Sequence, residues 1–222
     1  MNCKRRMMKV FVIIAVMCVL FSCKQEKKYH DTNHDRKSLV TSDKLADILK
    51  FQQKLNDEFK DPETSPLADR FRIDFETLDF FQPDTNYVIV AEFIRTPEAL
   101  PFSMPTTTDR ESTEVLYGIA KFTLNGKKQQ LEIYQTPELI TQEKYKDYLF
   151  LPFTDATNGE ETYGGGRYLD LRIPDGNEIV LDFNKAYNPY CAYNKKFSCP
   201  LVPSVNHIDS RIVAGVKDFE KK

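Results

Sequence analysis

The chain has 222 residues, with 31 basic and 33 acidic side chains and a formal net charge of −2. That balance argues against a nucleic-acid binder or an electrostatic membrane binder, both of which carry a basic surplus. The length suits one ordinary domain with a real hydrophobic core.

The first stretch reads as an export leader. Lys4, Arg5, Arg6 and Lys9 make a basic n-region, and Val10 to Phe21 is an unbroken apolar run. Such a run is too short to span a bilayer and suits a signal-peptide h-region. Leu20-Phe21-Ser22-Cys23 then sets a small residue before a cysteine at the expected cleavage point, which resembles a bacterial lipobox. The expectation is a signal peptide over 1–22 and acylation of Cys23, palmitate among the chains it carries. The mature protein is then a lipoprotein of the cell envelope, anchored to the membrane through Cys23 and facing the periplasm or the cell surface. The leader takes four basic residues and no acids, leaving 27 against 33, a net of −6.

Residues 23–41 are charged and poor in apolar side chains, the composition of a flexible tether. His30 and His34 lie within it at a spacing that shares a helical face, but no helical apolar pattern surrounds them. A solvated linker explains them better than a metal site. Residues 42–222 read as a single β-rich domain.

That domain opens with a helix over Ser42–Lys60. Leu45, Ile48, Leu49, Leu55 and Phe59 form one apolar stripe, Thr41 or Ser42 caps the start, and Asp61-Pro62 ends it. After Pro66 the texture changes to short β-branched and aromatic runs. The expected strands are Ile73–Phe80, Tyr87–Ile94, Val115–Leu124, Lys128–Gln135, Tyr148–Phe153, Tyr168–Ile173 and Ile179–Asn184. Asn125-Gly126 is the strongest hairpin signal, since both residues tolerate positive φ. Phe102 to Glu114 reads as a Pro/Thr-rich loop. No helix alternates with the strands, so a parallel sheet is not expected. The fold class is mainly β: an antiparallel β-sandwich or partly closed barrel with the N-terminal α-helix packed on it.

Reactive-looking side chains gather between Pro152 and His207. Pro174-Asp175-Gly176 suits a three-residue hairpin loop joining Tyr168–Ile173 to Ile179–Asn184. The register that avoids an Asp170–Asp182 pair sets Tyr168 opposite Asp182, with Asp170 and Asn184 on the same polar face. Gly164-Gly165-Gly166 runs into this strand and would let the backbone approach a ligand. It is not a P-loop, since no Lys-Ser/Thr ending and no helix follow. The candidate ligand-binding cluster is therefore Tyr163, Arg167, Tyr168, Asp182, Asn184 and Asn188, with a small anionic ligand held by the Arg167 fork. The competing reading has Arg167 neutralised by Asp155, Glu160, Glu161 or Asp182.

Once a leader and an acylated Cys23 are set aside, two thiols remain, Cys191 and Cys199. In an oxidising compartment a disulfide or a pair of structural thiols is the first reading. Bridging needs Cα atoms roughly 4.4–6.8 Å apart. A zinc set completed by His207, or a catalytic Cys-His pair, is weaker, because zinc wants four ligands and no spacing rule brings His207 in. The reading includes no metal, no cofactor and no nucleic-acid partner.

The same stretch carries a chain of motifs: Phe153-Thr154-Asp155-Ala156-Thr157-Asn158-Gly159, Glu161-Thr162-Tyr163, Gly166-Arg167-Tyr168-Leu169, Leu181-Asp182-Phe183-Asn184, Ala186-Tyr187-Asn188-Pro189, Cys191-Ala192-Tyr193 and Cys199-Pro200-Leu201, then Pro203, Asn206 and Ala214-Gly215. These resemble the bacterial domain-of-unknown-function 1684 family, in a short form, and Phe75 to Ala91 is similar to its aromatic strand pair. The resemblance implies a site in this stretch and no particular activity. Two functions fit. One is a binding or structural module of the envelope. The other is a hydrolase acting on an anionic envelope-derived small molecule or glycan, with acid–base work shared among Asp155, Glu161, Asp170 and Asp182.

Overall fold

A computed structural model describes residues 32–219, with side chains from residue 41 onward. The expected leader over 1–22 and Cys23 lie outside the described residues. Of the two compact units into which the chain divides, Met1–Ser38 and Leu39–Lys222, the second carries every element below except the start of the first helix.

Helix α1 spans Thr32–Lys60 and so begins well before Ser42. Residues 32–41, expected as tether, are helical. No proline or glycine interrupts the chain between His30 and Asp61, and polar residues of fair helix propensity extend a helix without an apolar stripe. Ile48, Leu55 and Phe59 are buried, whereas Leu45 and Leu49 stay exposed, so the docking stripe is narrower than the sequence pattern. The four-residue helix α2, Asp69–Arg72, follows. The strand expected over Ile73–Phe80 does not form. Ile73 is 74% exposed, and only Phe80 makes a single bridge, to Val216. The alternation that starts at Ile73 and Phe75 slips at Thr77, so Leu78 and Phe80 fall out of phase with it. No single strand face could bury all four. Phe75, Leu78 and Phe80 pack instead with Leu55, Phe59, Tyr193 and Val216 beneath the helix.

Eight strands follow: β1 (Val88–Arg95), β2 (Phe102–Pro105), β3 (Glu111–Leu124), β4 (Lys127–Gln135), β5 (Tyr148–Asp155), β6 (Arg167–Arg172), β7 (Glu178–Asp182) and β8 (His207–Ile208). The main sheet runs β6-β5-β4-β3-β1-β7, with β2 on β3 and β8 on β5. Every pairing is antiparallel except the short β5–β8 one. The two ends of the sheet, β6 and β7, approach each other, so the sheet is a nearly closed barrel. The mainly β, antiparallel expectation holds. Asn125 (φ 51°) and Gly126 (φ 76°) make the turn between β3 and β4, as their tolerance of positive φ requires.

Two local expectations are corrected. Phe102–Glu114 is not an irregular loop: β2 pairs with the start of β3, Phe102 opposite Glu114 and Met104 opposite Ser112. Met104, Ser112 and Glu114 are buried, so the alternation was present but carried on β3 by polar residues. The second correction concerns the hairpin over Tyr168–Asn184. Strand β6 pairs with β5, placing Leu171, Leu169 and Arg167 opposite Leu149, Leu151 and Phe153. Strand β7 pairs with β1, placing Leu181 and Ile179 opposite Ile89 and Ala91. Pro174-Asp175-Gly176 therefore links the two ends of the sheet rather than closing a tight turn. Each strand gains a long apolar neighbour this way, which the short local pairing could not supply.

The core inside the barrel includes Phe93, Phe122, Ile133, Leu151, Phe153, Leu181 and Phe183. The opposite face of β4, β5 and β6 is also covered. Tyr134, Phe150 and Tyr168 alternate outward there and pack with Met104 of β2 and Cys199. Phe150 and Tyr168 meet edge to face at 4.8 Å, a favourable aromatic geometry.

Candidate functional site

Arg167, expected to clamp a ligand, points into the barrel and is 0% exposed. Its Nη2 donates to Asp155 Oδ2 at 2.7 Å and to the Ile212 carbonyl at 2.9 Å, and its Nη1 donates to the Ala214 carbonyl. Burial lowers the guanidinium pKa, and the Asp155 charge opposes that shift. Asp155 Oδ1 accepts from Thr157 N, Thr157 Oγ1 and Ile212 N at 2.9, 2.7 and 3.1 Å. The pair thus locks β5, β6 and the 212–214 segment together. Of the acids considered as its neutraliser, Asp155 is the one. Gly166 (φ 91°) serves this knot as well: a Cβ there would lie 2.7 Å from the Phe153 carbonyl. The close approach that the glycine allows is to its own chain.

Asp182 and Asn184 form a second knot. Asp182 Oδ1 accepts from Asn184 N at 3.1 Å and Nδ2 at 2.9 Å. Asn184 also takes Asp84 N on its Oδ1 at 2.8 Å and gives Nδ2 to Asp84 O at 2.9 Å. Asn188 is buried elsewhere and donates to the Lys217 carbonyl at 2.8 Å. Asp182 lies opposite Val88 rather than Tyr168. Of the six expected residues, Asp182 and Asn184 meet in this knot and Tyr163 and Tyr168 come near each other around the thiols, but the six form no single cluster. The four carboxylates of the hydrolase reading also part. Asp155 is sealed with Arg167, Asp182 caps a turn, Glu161 pairs with Arg211, and Asp170 faces outward from β6.

That outward side does form a cleft. After β7 the chain returns to β6, where Tyr168 and Tyr187 exchange backbone hydrogen bonds at 2.9 and 3.1 Å. It then crosses the outer aromatic layer as Asn188–Pro200. Between this segment, β6 and α1 lies a cleft of about 400 Å³. Phe51 and Leu55 of α1 form one wall, Tyr187, Tyr190 and Phe197 another, and Tyr168, Ser198 and Cys199 also line it. Asp170, an exposed residue of β6, is the carboxylate that lines it beside Tyr168 and Tyr187. Asp170 Oδ1 accepts from Tyr148 Oη at 2.8 Å and Tyr187 Oη at 2.6 Å. Burial, followed by the Asp170 charge, pushes both phenols well above the ordinary range, so they stay protonated donors. Oδ2 has no partner among the described residues. Lys54 and Glu58 sit at the rim on α1, 3.5 Å apart. A larger groove of about 790 Å³ runs past Arg70, Asp74, Glu76, Asp79, Glu160 and Lys217. Its charges are mostly exposed and partly paired, as Lys217 is with Asp79 at 3.2 Å, and Phe71, Phe75 and Phe219 supply its apolar part.

The thiols lie at the edge of the aromatic cleft and are free. Cys191 N donates to Cys199 Sγ at 3.2 Å, and Tyr163 Oη lies 3.9 Å from Cys191 Sγ. His207 takes the Thr154 hydroxyl as partner, at 3.0 Å from Nδ1, rather than the thiols. Among the described residues, no three His, Cys, Asp or Glu side chains are grouped to hold a metal ion.

Phe51, Tyr187, Tyr190 and Phe197 were absent from the sequence-derived site, and Asp170 entered it only as an acid–base candidate. A signal existed. Tyr187, Tyr190, Tyr193 and Phe197 recur in a proline-bounded segment with no strand period, and aromatics in such a segment must find a surface to cover.

Comparison with known proteins agrees with the motif reading. The family described as "Protein of unknown function (DUF1684)" matches residues 73–217. An uncharacterized protein of Haloarcula marismortui, solved by solution NMR, is similar at 30% identity and a TM-score of 0.59, over 84% of this chain and 96% of that one. No curated protein matches. The matched span runs from the segment beneath α1 to the Ala214-Gly215 knot and takes in the cleft's β6 and Tyr187–Pro200 walls, and on that span the chain belongs to the DUF1684 family.

Proposed function

We propose that this protein is a lipid-anchored binding module of the cell envelope that holds a small ligand in the cleft between α1, β6 and Tyr187–Pro200. The observation that carries the reading is a carboxylate set among aromatic walls: Asp170, oriented by Tyr148 and Tyr187 through one oxygen, has its other oxygen free. A site of this volume, with aromatic walls and a few polar groups, has the form of a small-molecule pocket. Aromatic faces and the Asp170 carboxylate, with Glu58 at the rim paired to Lys54, favour a cationic or amine-bearing group, by charge and by cation–π attraction. The anion considered from sequence loses its donor, because Arg167 is buried and its two terminal nitrogens are taken by Asp155, Ile212 and Ala214. The basic leader and Cys23 support the anchor, and no helix among the described residues is long and apolar enough to cross a membrane.

Tetramethylammonium is a suitable probe, followed by chemical shifts or thermal shift, with phosphate as the contrasting anion. Binding of the cation is expected in the parent and lost in Asp170→Asn and Tyr190→Ala. Equal binding in both variants, or preference for phosphate, would refute the assignment.

A further inference from the structure

We propose that Cys191 and Cys199 form a redox-active dithiol that exchanges with small disulfides, Cys191 attacking and Cys199 resolving. The two sulfurs have different surroundings. Cys191 is half-buried in the turn Tyr190–Ala192, where a reagent can reach it. Cys199 is buried in the outer aromatic layer. It is held there from outside the pair: Cys199 N donates to Thr107 Oγ1 at 3.1 Å, and Thr107 N donates to the Cys199 carbonyl at 2.9 Å. One thiol is thus open to attack a disulfide, and the other is fixed beside it to attack the product.

The donors around Cys191 favour its anion. The Cys199 thiol and then the Tyr163 hydroxyl bring the Cys191 thiol down to about 6, against the desolvation that would raise it. The same contact with Cys191, together with burial, pushes Cys199 up. The other titratable groups facing the pair are Tyr168 and, beyond Tyr163, Asp218. Burial raises both phenols, Tyr163 to about 12, so at neutral pH they remain donors and do not compete for the charge. An accessible thiolate beside a donor is the usual setting of a reactive cysteine, whereas buried structural thiols are inert.

The chemistry balances without a metal. The Cys191 thiolate attacks one sulfur of a small disulfide, the S–S bond breaks, and the first thiolate leaves. Cys199 gives its proton to that leaving group and attacks Cys191 Sγ. The mixed disulfide breaks, the second thiolate leaves and takes up a solvent proton in place of the one Cys191 had released. Two protein thiols are oxidised to one disulfide, and the small disulfide is reduced to two thiols. Cys199 and Tyr190 both line the cleft, so the bridge would fix that wall. The exchange itself does not depend on which ligand the cleft holds.

The test uses the full chain with Cys3, Cys18 and Cys23 replaced by serine, so that only this pair can react, and oxidised glutathione as the probe. The expected result is a Cys191–Cys199 bridge by peptide mass mapping, with two glutathione thiols released per chain. Cys199→Ser should instead accumulate glutathione on Cys191, and Cys191→Ser should take up none. Because Cys199 is buried and its variant is exposed to misfolding, a second readout uses the reduced pair itself. Iodoacetamide should label Cys191 first, with a pH midpoint near the value of about 6 expected from its surroundings. The midpoint is the right quantity, since a lower pKa also weakens the nucleophile and flattens a single-pH rate. An unmodified pair, a midpoint in the ordinary thiol range of about 8.5, or a bridge that reduced glutathione cannot reopen would each overturn the proposal.

Discussion

Replacing Arg167 with Met separates a structural cation from a ligand clamp. The change keeps bulk in the barrel but removes the partner of Asp155 Oδ2 and the donors to the Ile212 and Ala214 carbonyls. Both charged side chains are fully buried, so the remaining carboxylate has no water to turn to. Breaking a buried pair from one side costs about 3–5 kcal/mol, a large part of a domain stability of roughly 5–15 kcal/mol. The structure also names the partial remedy. Asp155 Oδ1 still serves Thr157 N, Thr157 Oγ1 and Ile212 N, so Asp155→Leu would orphan three donors. Asp155→Asn keeps an acceptor for them and removes the charge. Added to Arg167→Met it should restore about 2 kcal/mol, leaving the two carbonyls at about 1 kcal/mol each. Alone, Asp155→Asn should destabilise, because it leaves the guanidinium buried without a counter-charge. The cycle is read from urea denaturation midpoints at constant slope. A cost under about 1 kcal/mol for Arg167→Met, or no recovery in the double variant, would refute the structural reading, since one-sided loss of a buried pair is strongly destabilising.

Further outcomes follow from single contacts. Gly166→Ala puts a side chain at φ 91° against the Phe153 carbonyl and should cost at least about 1–3 kcal/mol, seen as a lower thermal midpoint. Asn184→Ala orphans the Asp84 N–H and removes one of two donors to the Asp84 carbonyl, which keeps Tyr87 N, and should cost about 1–2 kcal/mol by the same measure. Burial raises the Glu114 carboxyl, although Ser112 and Thr136 donate to it. Its folded pKa therefore exceeds the unfolded one, and its stabilising effect, complete in acid, is lost as pH rises through the folded value. Glu114→Gln should then raise the thermal midpoint at neutral pH and leave it unchanged in acid; a gain independent of pH would contradict this. Cys23→Ala should leave the membrane fraction or remain unprocessed, and a variant that fractionates like the parent, with no acyl group on the parent by mass spectrometry, would remove the anchor.

The sheet was legible because its strands are long enough to show their period. Val115–Leu124 and Lys128–Gln135 flank an Asn-Gly turn, and nothing else could pair with them at that distance. The Tyr168–Asn184 hairpin failed for the opposite reason. A three-residue loop signal is local, but β6 and β7 each meet a stronger apolar partner far along the chain. Turn chemistry permits a hairpin; the barrel decides whether it forms. The slip at Thr77 and the polar alternation of Ser112 and Glu114 misled in the same way, since a local pattern says nothing of what lies on the other side.

The crowd of polar motifs between Pro152 and Ala214 was read as a site, and most of it performs another task. Much of this chain is neither helix nor sheet, yet it is buried, so its backbone groups need partners that secondary structure does not give. Asn206 shows the solution most plainly. Its Oδ1 accepts from Glu132 N and its Nδ2 donates to the carbonyls of Glu132 and Pro152, at 2.7–2.8 Å. One side chain thus completes the edge of two strands. Asn184 does the same for Asp84, and Arg167 for Ile212 and Ala214. Such residues must be polar, fixed and specific, which are the qualities that binding residues show in a sequence. What distinguishes the cleft is an opening: Asp170 keeps one oxygen free, and Tyr187, Tyr190 and Phe197 line a gap walled on its other side by Phe51 and Leu55. That property arises between Phe51 and Tyr190, two elements far apart in the chain, and only the folded arrangement of α1 over β6 brings them together.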